Sequence, residues 1–261
     1  MDKIRPLKRF GQNYLQDNNI LTKIVDEINP KAGDNIMEIG PGQGALTEKL
    51  LERVPQITAV EIDKRVADNL KEKFQGLNLI RDDFLNIDLH KYATIGKKLR
   101  VSGNIPYNLT SSIIFHLIEH KDVVEDAVLM VQHEVAKRMQ GKKGTKDYGI
   151  LAVILQYFTE VNYCFKVSPN VFYPKPKVHS AVVHLKFREL KSTENVNNTF
   201  IRMVKACFGN RRKTLKNSLS NSIFKEINFA DSGIDLSLRA EQLEPGDFIT
   251  LAEFALKKLS N

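Results

Sequence analysis

From Asp34 to Arg188, short apolar runs rich in β-branched residues alternate with amphipathic stretches, and this alternation constrains the fold more than any other feature. Runs apolar on both faces suit parallel strands, and parallel strands need crossover helices, so the pattern predicts a mostly parallel sheet flanked by helices. Seven strands are expected, at Asn35–Gly40, Thr58–Asp63, Asn78–Asp82, Arg100–Asn104, Ala127–Val131, Tyr163–Val167 and Ala181–Phe187. Ala45–Arg53, Lys64–Phe74, Thr110–His120, His133–Gln140 and Gly149–Phe158 read as helices by their apolar spacing. The last two strands have no helix between them. Ser168–Ser180 joins them instead, and its Pro169, Pro174 and Pro176 predict a rigid extended loop. Beyond Arg188 the strand pattern stops: Leu190–Asn198 reads as a polar linker, followed by helices at Phe200–Phe208, Arg211–Ser220, Leu236–Ala240 and Pro245–Lys258. The expected division is an α/β domain over 1–190 and a small all-α domain over 191–261.

The first expected strand ends in Glu38-Ile39-Gly40-Pro41-Gly42-Gln43-Gly44 and runs straight into a helix. Glycines here let the backbone turn sharply and approach a ligand where a Cβ would intrude. The loop alone is ambiguous. Gly40-x-Gly42-x-x-Ala45 also satisfies a dinucleotide fingerprint, and Glu61 stands where a ribose-binding acid belongs, so a nicotinamide oxidoreductase remains open. The full spacing E-x-G-x-G-x-G resembles motif I of S-adenosylmethionine methyltransferases. Glu61-Ile62-Asp63 resembles their ribose-binding acidic loop, a carboxylate being able to accept from both hydroxyls. Asp82-Asp83-Phe84 resembles their adenine-binding corner, with Asp83 set to accept from the adenine amino group, although both aspartates could equally cap a loop.

The fourth expected strand ends in Asn104-Ile105-Pro106-Tyr107, which resembles motif IV of methyltransferases acting on the adenine amino group. The residue types suit that chemistry. The N6 lone pair is delocalised into the ring, so N6 is a poor nucleophile until two acceptors draw its hydrogens toward tetrahedral geometry. The Asn104 side-chain oxygen and the Ile105 carbonyl can be those acceptors. Pro106 stiffens the turn, and Tyr107 can stack on the base and favour the charge developing on nitrogen. Such a base must leave its stack. The proline loop offers an opposite wall, with Phe172 expected to stack on the flipped adenine and Lys175 and Lys177 to meet phosphates. Phe172 as a core plug is the alternative.

Together, Arg9–Leu15, Glu38–Gly44, Glu61–Asp63, Asn104–Tyr107, Phe172–Ser180 and Arg211–Leu215 resemble the small-subunit ribosomal RNA adenine dimethyltransferases along nearly the whole chain. The resemblance implies a Rossmann-like S-adenosylmethionine methyltransferase fold with a C-terminal helical RNA-binding domain. It also implies dimethylation at N6 of two adjacent adenosines near the 3′ end of 16S rRNA, within a partly assembled 30S subunit. It assigns cofactor contacts to Asn13, Leu15, Gly40, Gly42, Glu61, Asp83 and Asn104. Tyr14 departs from it, since Phe usually follows Gly-Gln-Asn, and no consequence is expected because a ring remains.

Charge agrees with a polyanionic partner. The 261 residues carry 39 Lys+Arg against 31 Asp+Glu, net +8, although an ordinary basic protein would look the same. More specific is the cluster of Arg202, Lys205, Arg211, Arg212, Lys213 and Lys216 around Gly209-Asn210, which fits shape-based RNA recognition. The basic N-terminal run Lys3–Arg9 could be a second phosphate contact. Cys164 and Cys207 show neither metal-ligand nor disulfide spacing, so reduced thiols and no metal are expected. With no secretory or membrane-spanning stretch, the expectation is a cytoplasmic monomer. Two further alternatives stay open at this point: a 23S rRNA dimethyltransferase conferring resistance, which shares N-I-P-Y, and a non-catalytic assembly factor.

Overall fold

The apolar runs do form a seven-stranded sheet. The computed structural model describes residues 6–7, 11–94, 96–210 and 212–259, so Lys3, Arg5, Lys8, Arg9, Phe10 and Arg211 of the sequence reading lie outside the described residues. In chain order the strands are β1 (Tyr14–Leu15), β2 (Asn35–Ile39), β3 (Ile57–Val60), β4 (Leu77–Ile80), β5 (Leu99–Asn104), β6 (Val124–Gln132), β7 (Thr159–Val167), β8 (Phe172–Tyr173) and β9 (Ser180–Phe187). The helices are α1 (Asn18–Ile28), α2 (Ala45–Leu51), α3 (Lys64–Lys73), α4 (Thr110–Glu119), α5 (His133–Met139), α6 (Ile150–Phe158), α7 (Glu194–Phe208), α8 (Leu215–Leu219) and α9 (Pro245–Leu259). None of the described helices is long and apolar enough to cross a membrane.

The sheet order is β4-β3-β2-β5-β6-β9-β7, parallel from β4 to β6, with β9 antiparallel to β6. Because both faces are covered, consecutive residues are buried rather than alternate ones, as in Ile36–Ile39 of β2 and Asp126–Val131 of β6. The order steps outward from β2 to β4 and then returns to the other side of β2 at β5. That reversal leaves a crevice beyond the carboxyl ends of the strands, where ligands settle in sheets of this kind.

Two elements here escaped the sequence reading. The first is α1: Asp17 caps it, accepting from Asn19 N and Ile20 N, and it buries Leu21, Ile24, Val25 and Ile28. The second is a two-stranded sheet in which β1 pairs antiparallel with β8, Leu15 opposite Phe172 and Tyr14 opposite Tyr173.

The chain forms two compact units, and their extents differ from the two domains read from the sequence. One comprises Met1–Ala136 and Glu160–Phe187; the other joins Lys137–Thr159 to Arg188–Asn261. Within the second unit, α6 is apolar almost all round and packs against α7 and α9. Tyr157 and Phe158 meet Phe200 with ring centroids 4.4 and 6.0 Å apart, and Phe208 stacks on Phe248 at 5.8 Å. This aromatic cluster is why 137–159 belongs with the C-terminal helices. The stretch read as a linker is already helical from Glu194, because Thr193 caps α7 by accepting from Val196 N. Leu236–Ala240 is a turn leading into a single 3-10 turn at Ala240–Gln242, and α8 is shorter than expected.

Candidate active site

A cavity of about 320 Å³ opens in the first unit, lined by the loops that leave β2, β3, β4 and β5 and by the N-terminal segment. The glycine loop forms its floor. Gly40, Gly42 and Gly44 have φ of 62°, 56° and 81°, a region that side chains with a Cβ rarely adopt. A Cβ on Gly42 would strike the Tyr14 ring at 2.9 Å, whereas one on Gly40 would meet no protein atom within 4 Å. The loop is therefore packed against the Tyr14 ring at Gly42 and bare of protein contact at Gly40.

Two carboxylates line the cavity beside it. Glu61 is 4% exposed and accepts from Gly42 N at 3.2 Å and Asp63 N at 2.8 Å. Burial raises its pKa above the usual carboxylate range, against the pull of those two N–H groups. Glu38, which the sequence reading used only for spacing, is more extreme. Burial pushes its pKa to about 8, the hydroxyl of Thr47 offsets this by donating at 2.6 Å, and nearby Glu61 adds to it. Asp83 caps a 3-10 turn by accepting from Leu85 N with Oδ1, and it lines the cavity as well.

The Asn104–Tyr107 tetrapeptide leaves β5 directly into this space. Asn104 donates its amide N–H to the carbonyl of Asn13 at 2.7 Å, which fixes the amide plane and leaves Oδ1 as an acceptor. Tyr107 is held by a 2.7 Å hydrogen bond shared with the hydroxyl of Ser180 at the start of β9. Burial raises the Tyr107 pKa, and the Ser180 bond works the other way. The ring is thus pinned at its far end. Neither Asn13 as an anchor for Asn104 nor Ser180 as an anchor for Tyr107 was visible in the sequence, because each pair is joined only by the fold.

The cavity brings together Asn13, Leu15, Gly40, Gly42, Glu61, Asp83, Asn104, Ile105, Pro106 and Tyr107. Phe172 is not among them: the structure places its ring in the core, the alternative kept open above. Its ring is 5% exposed and belongs to the core with Leu15, Leu21, Val167 and Val182. The cause is the pairing with β1. Successive strand residues face opposite sides, so Phe172 turns inward and Tyr173, 57% exposed, turns out. Lys175 and Lys177 are exposed on the loop that follows, and Arg212, Lys213 and Lys216 are exposed in the second unit.

Tyr14 is the one cavity residue whose polar atom is stranded. Its hydroxyl is buried without a hydrogen-bond partner among the described residues, and burial, with Glu61 and Asp63 nearby, pushes its pKa to about 12. A bare glycine edge, a stranded hydroxyl and acceptor carboxylates suit a ligand carrying several hydroxyl and amino donors.

Comparison with known proteins agrees with that geometry. Residues 3–257 match the family model described as "Ribosomal RNA adenine dimethylase". The chain is 46% identical to the "Ribosomal RNA small subunit methyltransferase A" of Chlorobaculum tepidum, covering 94% of this chain and 87% of that protein. It is 40% identical to the protein of the same description from Aromatoleum aromaticum, covering 99% and 97%. Among solved structures, a dimethyladenosine transferase from Plasmodium falciparum superposes with a TM-score of 0.77 at 26% identity, covering 94% of this chain and 98% of that one. The 23S rRNA methyltransferase ErmE gives 0.67 at 28%, covering 93% and 99%. A family-model match along almost the entire chain, together with relatives 40 and 46% identical over most of their length, leaves one conclusion: the protein belongs to the ribosomal RNA adenine dimethylase family.

Proposed function

We propose that this chain methylates N6 of two adjacent adenosines near the 3′ end of 16S rRNA, within the small ribosomal subunit, to N6,N6-dimethyladenosine. S-adenosylmethionine supplies the electrophilic methyl group. Glu61 would accept from its ribose hydroxyls and Asp83 from its adenine amino group, with Gly40, Gly42, Asn13 and Leu15 closing around it. The bare edge at Gly40 supports this fit, and the stranded Tyr14 hydroxyl would offer the cofactor a further polar partner.

The observation that carries the reading is the Asn104 amide, whose N–H is committed to Asn13 while Oδ1 stays an acceptor beside the glycine loop. In the reaction Asn104 Oδ1 and the Ile105 carbonyl accept the two N6 hydrogens and localise the nitrogen lone pair. Tyr107, pinned by Ser180, stacks on the base and favours the positive charge that develops on nitrogen. No strong general base is needed, because the methylated ammonium sheds its proton readily. The helical unit, with Arg212, Lys213 and Lys216, and the loop with Lys175 and Lys177 would hold RNA phosphates. The protein would work in the cytoplasm as a monomer.

The test is transfer of labelled methyl groups to 30S subunits lacking this modification, beside 50S subunits and the Asn104→Ala protein. Label recovered as dimethyladenosine in 16S rRNA and reduced about 10²- to 10³-fold in the variant is the expected result. Label in 23S rRNA alone would transfer the reading to the ErmE-like reaction. Cofactor binding without any transfer would leave an assembly factor, and binding of NADH in place of S-adenosylmethionine would end the methyltransferase reading.

A further inference from the structure

Away from the cavity, three histidines and two aspartates from separate parts of the chain converge. Asp88 caps the 3-10 turn Leu89–Lys91 and carries His90 just above it; His116 and His120 lie on and just past the last turn of α4; Asp122 precedes β6. None of these residues lines the cavity.

Both ring nitrogens of His90 face carboxylates: Nε2 lies 3.0 Å from Asp122 Oδ2 and Nδ1 lies 3.0 Å from Asp88 Oδ1, so a neutral ring that donates through Nε2 to Asp122 turns the Nδ1 lone pair toward Asp88. The His116 carbonyl can only accept, so His120 Nδ1 donates to it at 2.9 Å and the lone pair of a neutral ring falls on Nε2. That Nε2 faces the same Asp88 oxygen at 3.7 Å, too long for a hydrogen bond. Two imidazole nitrogens and one carboxylate oxygen thus lie within 4.8 Å of one another. Electron-rich atoms held this close call for a cation between them, and a proton on His90 serves only part of the cluster.

We propose that His90 Nδ1, His120 Nε2 and Asp88 Oδ1 form a binding site for a divalent transition metal, with Zn2+ as the best-suited ion. Tetrahedral zinc with bonds near 2.0 Å sets its ligand atoms about 3.3 Å apart; the 3.0 and 3.7 Å separations of Asp88 Oδ1 from the two nitrogens bracket that value, and the nitrogens lie within 4.8 Å of each other. Imidazole with carboxylate favours zinc and its neighbours over calcium or magnesium. The outer contacts match what metal-bound histidines need: each ring gives its other N–H to an acceptor, a carboxylate for His90 and a carbonyl for His120. Water completes the coordination on the exposed side. The ion would act as a clamp. It would tie the turn after β4 to the end of α4, beside the contacts in which His116 meets the Ile87 carbonyl and the edge of Phe84.

The test is zinc titration of the full chain, stripped of metal, against a chromophoric chelator. The comparison proteins are His90→Ala/His120→Ala, Asp122→Asn and a His179→Ala control. One Zn2+ per chain with a Kd in the micromolar range or tighter is expected. It should weaken at least 100-fold in the double variant, about tenfold in Asp122→Asn, and not at all in the control. Zinc at a hundredfold excess over Kd should raise Tm by roughly 5 °C or more in the parent and leave the double variant unmoved. Cobalt substituted at the site should show no thiolate charge-transfer band, which separates it from binding at Cys164 or Cys207. Should the double variant fail to fold, Asp122→Asn with the cobalt spectrum still decides. Binding weaker than about 1 mM, or equal binding by every variant, would overturn the proposal.

Discussion

The two ends of β5 carry opposite electrostatic designs. At its carboxyl end Asn104 keeps an open acceptor, Tyr14 has a stranded hydroxyl, and Glu38 is buried with a pKa near 8. At its amino end the half-buried and buried charges Arg100, Asp126 and His184 are answered by one another and by their neighbours. Arg100 donates to both oxygens of Asp126 at 3.0 and 2.6 Å, to Asp34 at 2.8 Å and to the Ile28 carbonyl at 2.7 Å. His184 bridges Asp126 at 2.9 Å and Glu27 at 3.0 Å. Burial works against both charges, but the partners prevail: the Asp126 pKa falls below its usual value and that of His184 rises. One strand thus starts in a saturated network and ends in a site whose polar groups wait for a ligand. The saturated end is a device for stability; the open end accepts a stability cost in return for binding.

The comparison breaks most visibly if the saturated end proves dispensable. Asp126→Asn removes the charge that both Arg100 and His184 share, and stripping one partner from a buried network costs about 3–5 kcal/mol. That should lower Tm by roughly 10 °C while leaving methyl transfer by the folded protein within twofold. The sign with pH follows from the two shifts. The share of His184 is complete below the ordinary imidazole value near 6.5 and fades as pH rises through its raised pKa. The share of Asp126 holds above the ordinary carboxylate value near 4 and fades as pH falls through its lowered one. The stability gap between parent and variant, measured by denaturant unfolding, should therefore be widest between about pH 4 and 6.5. A gap below about 1 kcal/mol, or one flat with pH, would mean that the network contributes specificity at most.

Glu38 tests the other end. Its folded pKa of about 8 lies above the unfolded value of 4.5, so the folded state holds the extra proton and stability falls as pH rises between those values. The loss is on the order of 4 kcal/mol across that window. Glu38→Gln keeps an acceptor for the Thr47 hydroxyl and removes the titration. The variant should lose less stability than the parent from pH 5 to pH 8, and parallel curves would show that Glu38 is hydrated or paired at neutral pH.

Much of the open end was legible, because its chemistry is local in sequence. Glu38–Gly44 and Asn104–Tyr107 each sit at the end of one strand, so spacing alone placed them on one crevice. The saturated end was not legible at all. Arg100, Asp126 and His184 come from three strands, and no periodicity announces that they meet. The burial of Phe172 was hidden for a similar reason: its inward direction depends on pairing with Leu15, 157 residues earlier, and the loop carries no sign of a strand partner. The omission of α1 is different, since Asp17 and the Leu21, Ile24, Val25, Ile28 spacing state a capped amphipathic helix outright.

Tyr14 gives the smallest and most discriminating test of the comparison. Its ring packs against Gly42, so Tyr14→Phe keeps the contact that holds the glycine loop and removes only the buried hydroxyl. A desolvated hydroxyl with no partner costs about 1–3 kcal/mol, so in the absence of cofactor the variant should be more stable by about 1–2 kcal/mol. If that hydroxyl is kept for the ligand, calorimetry should at the same time show S-adenosylmethionine bound about fivefold more weakly, since one hydrogen bond is worth about 1 kcal/mol. A gain in stability with unchanged affinity would make the hydroxyl a plain defect, and unchanged stability would mean that water already satisfies it. Only opposite movements of the two quantities fit a cavity whose unanswered polar groups are held for a ligand.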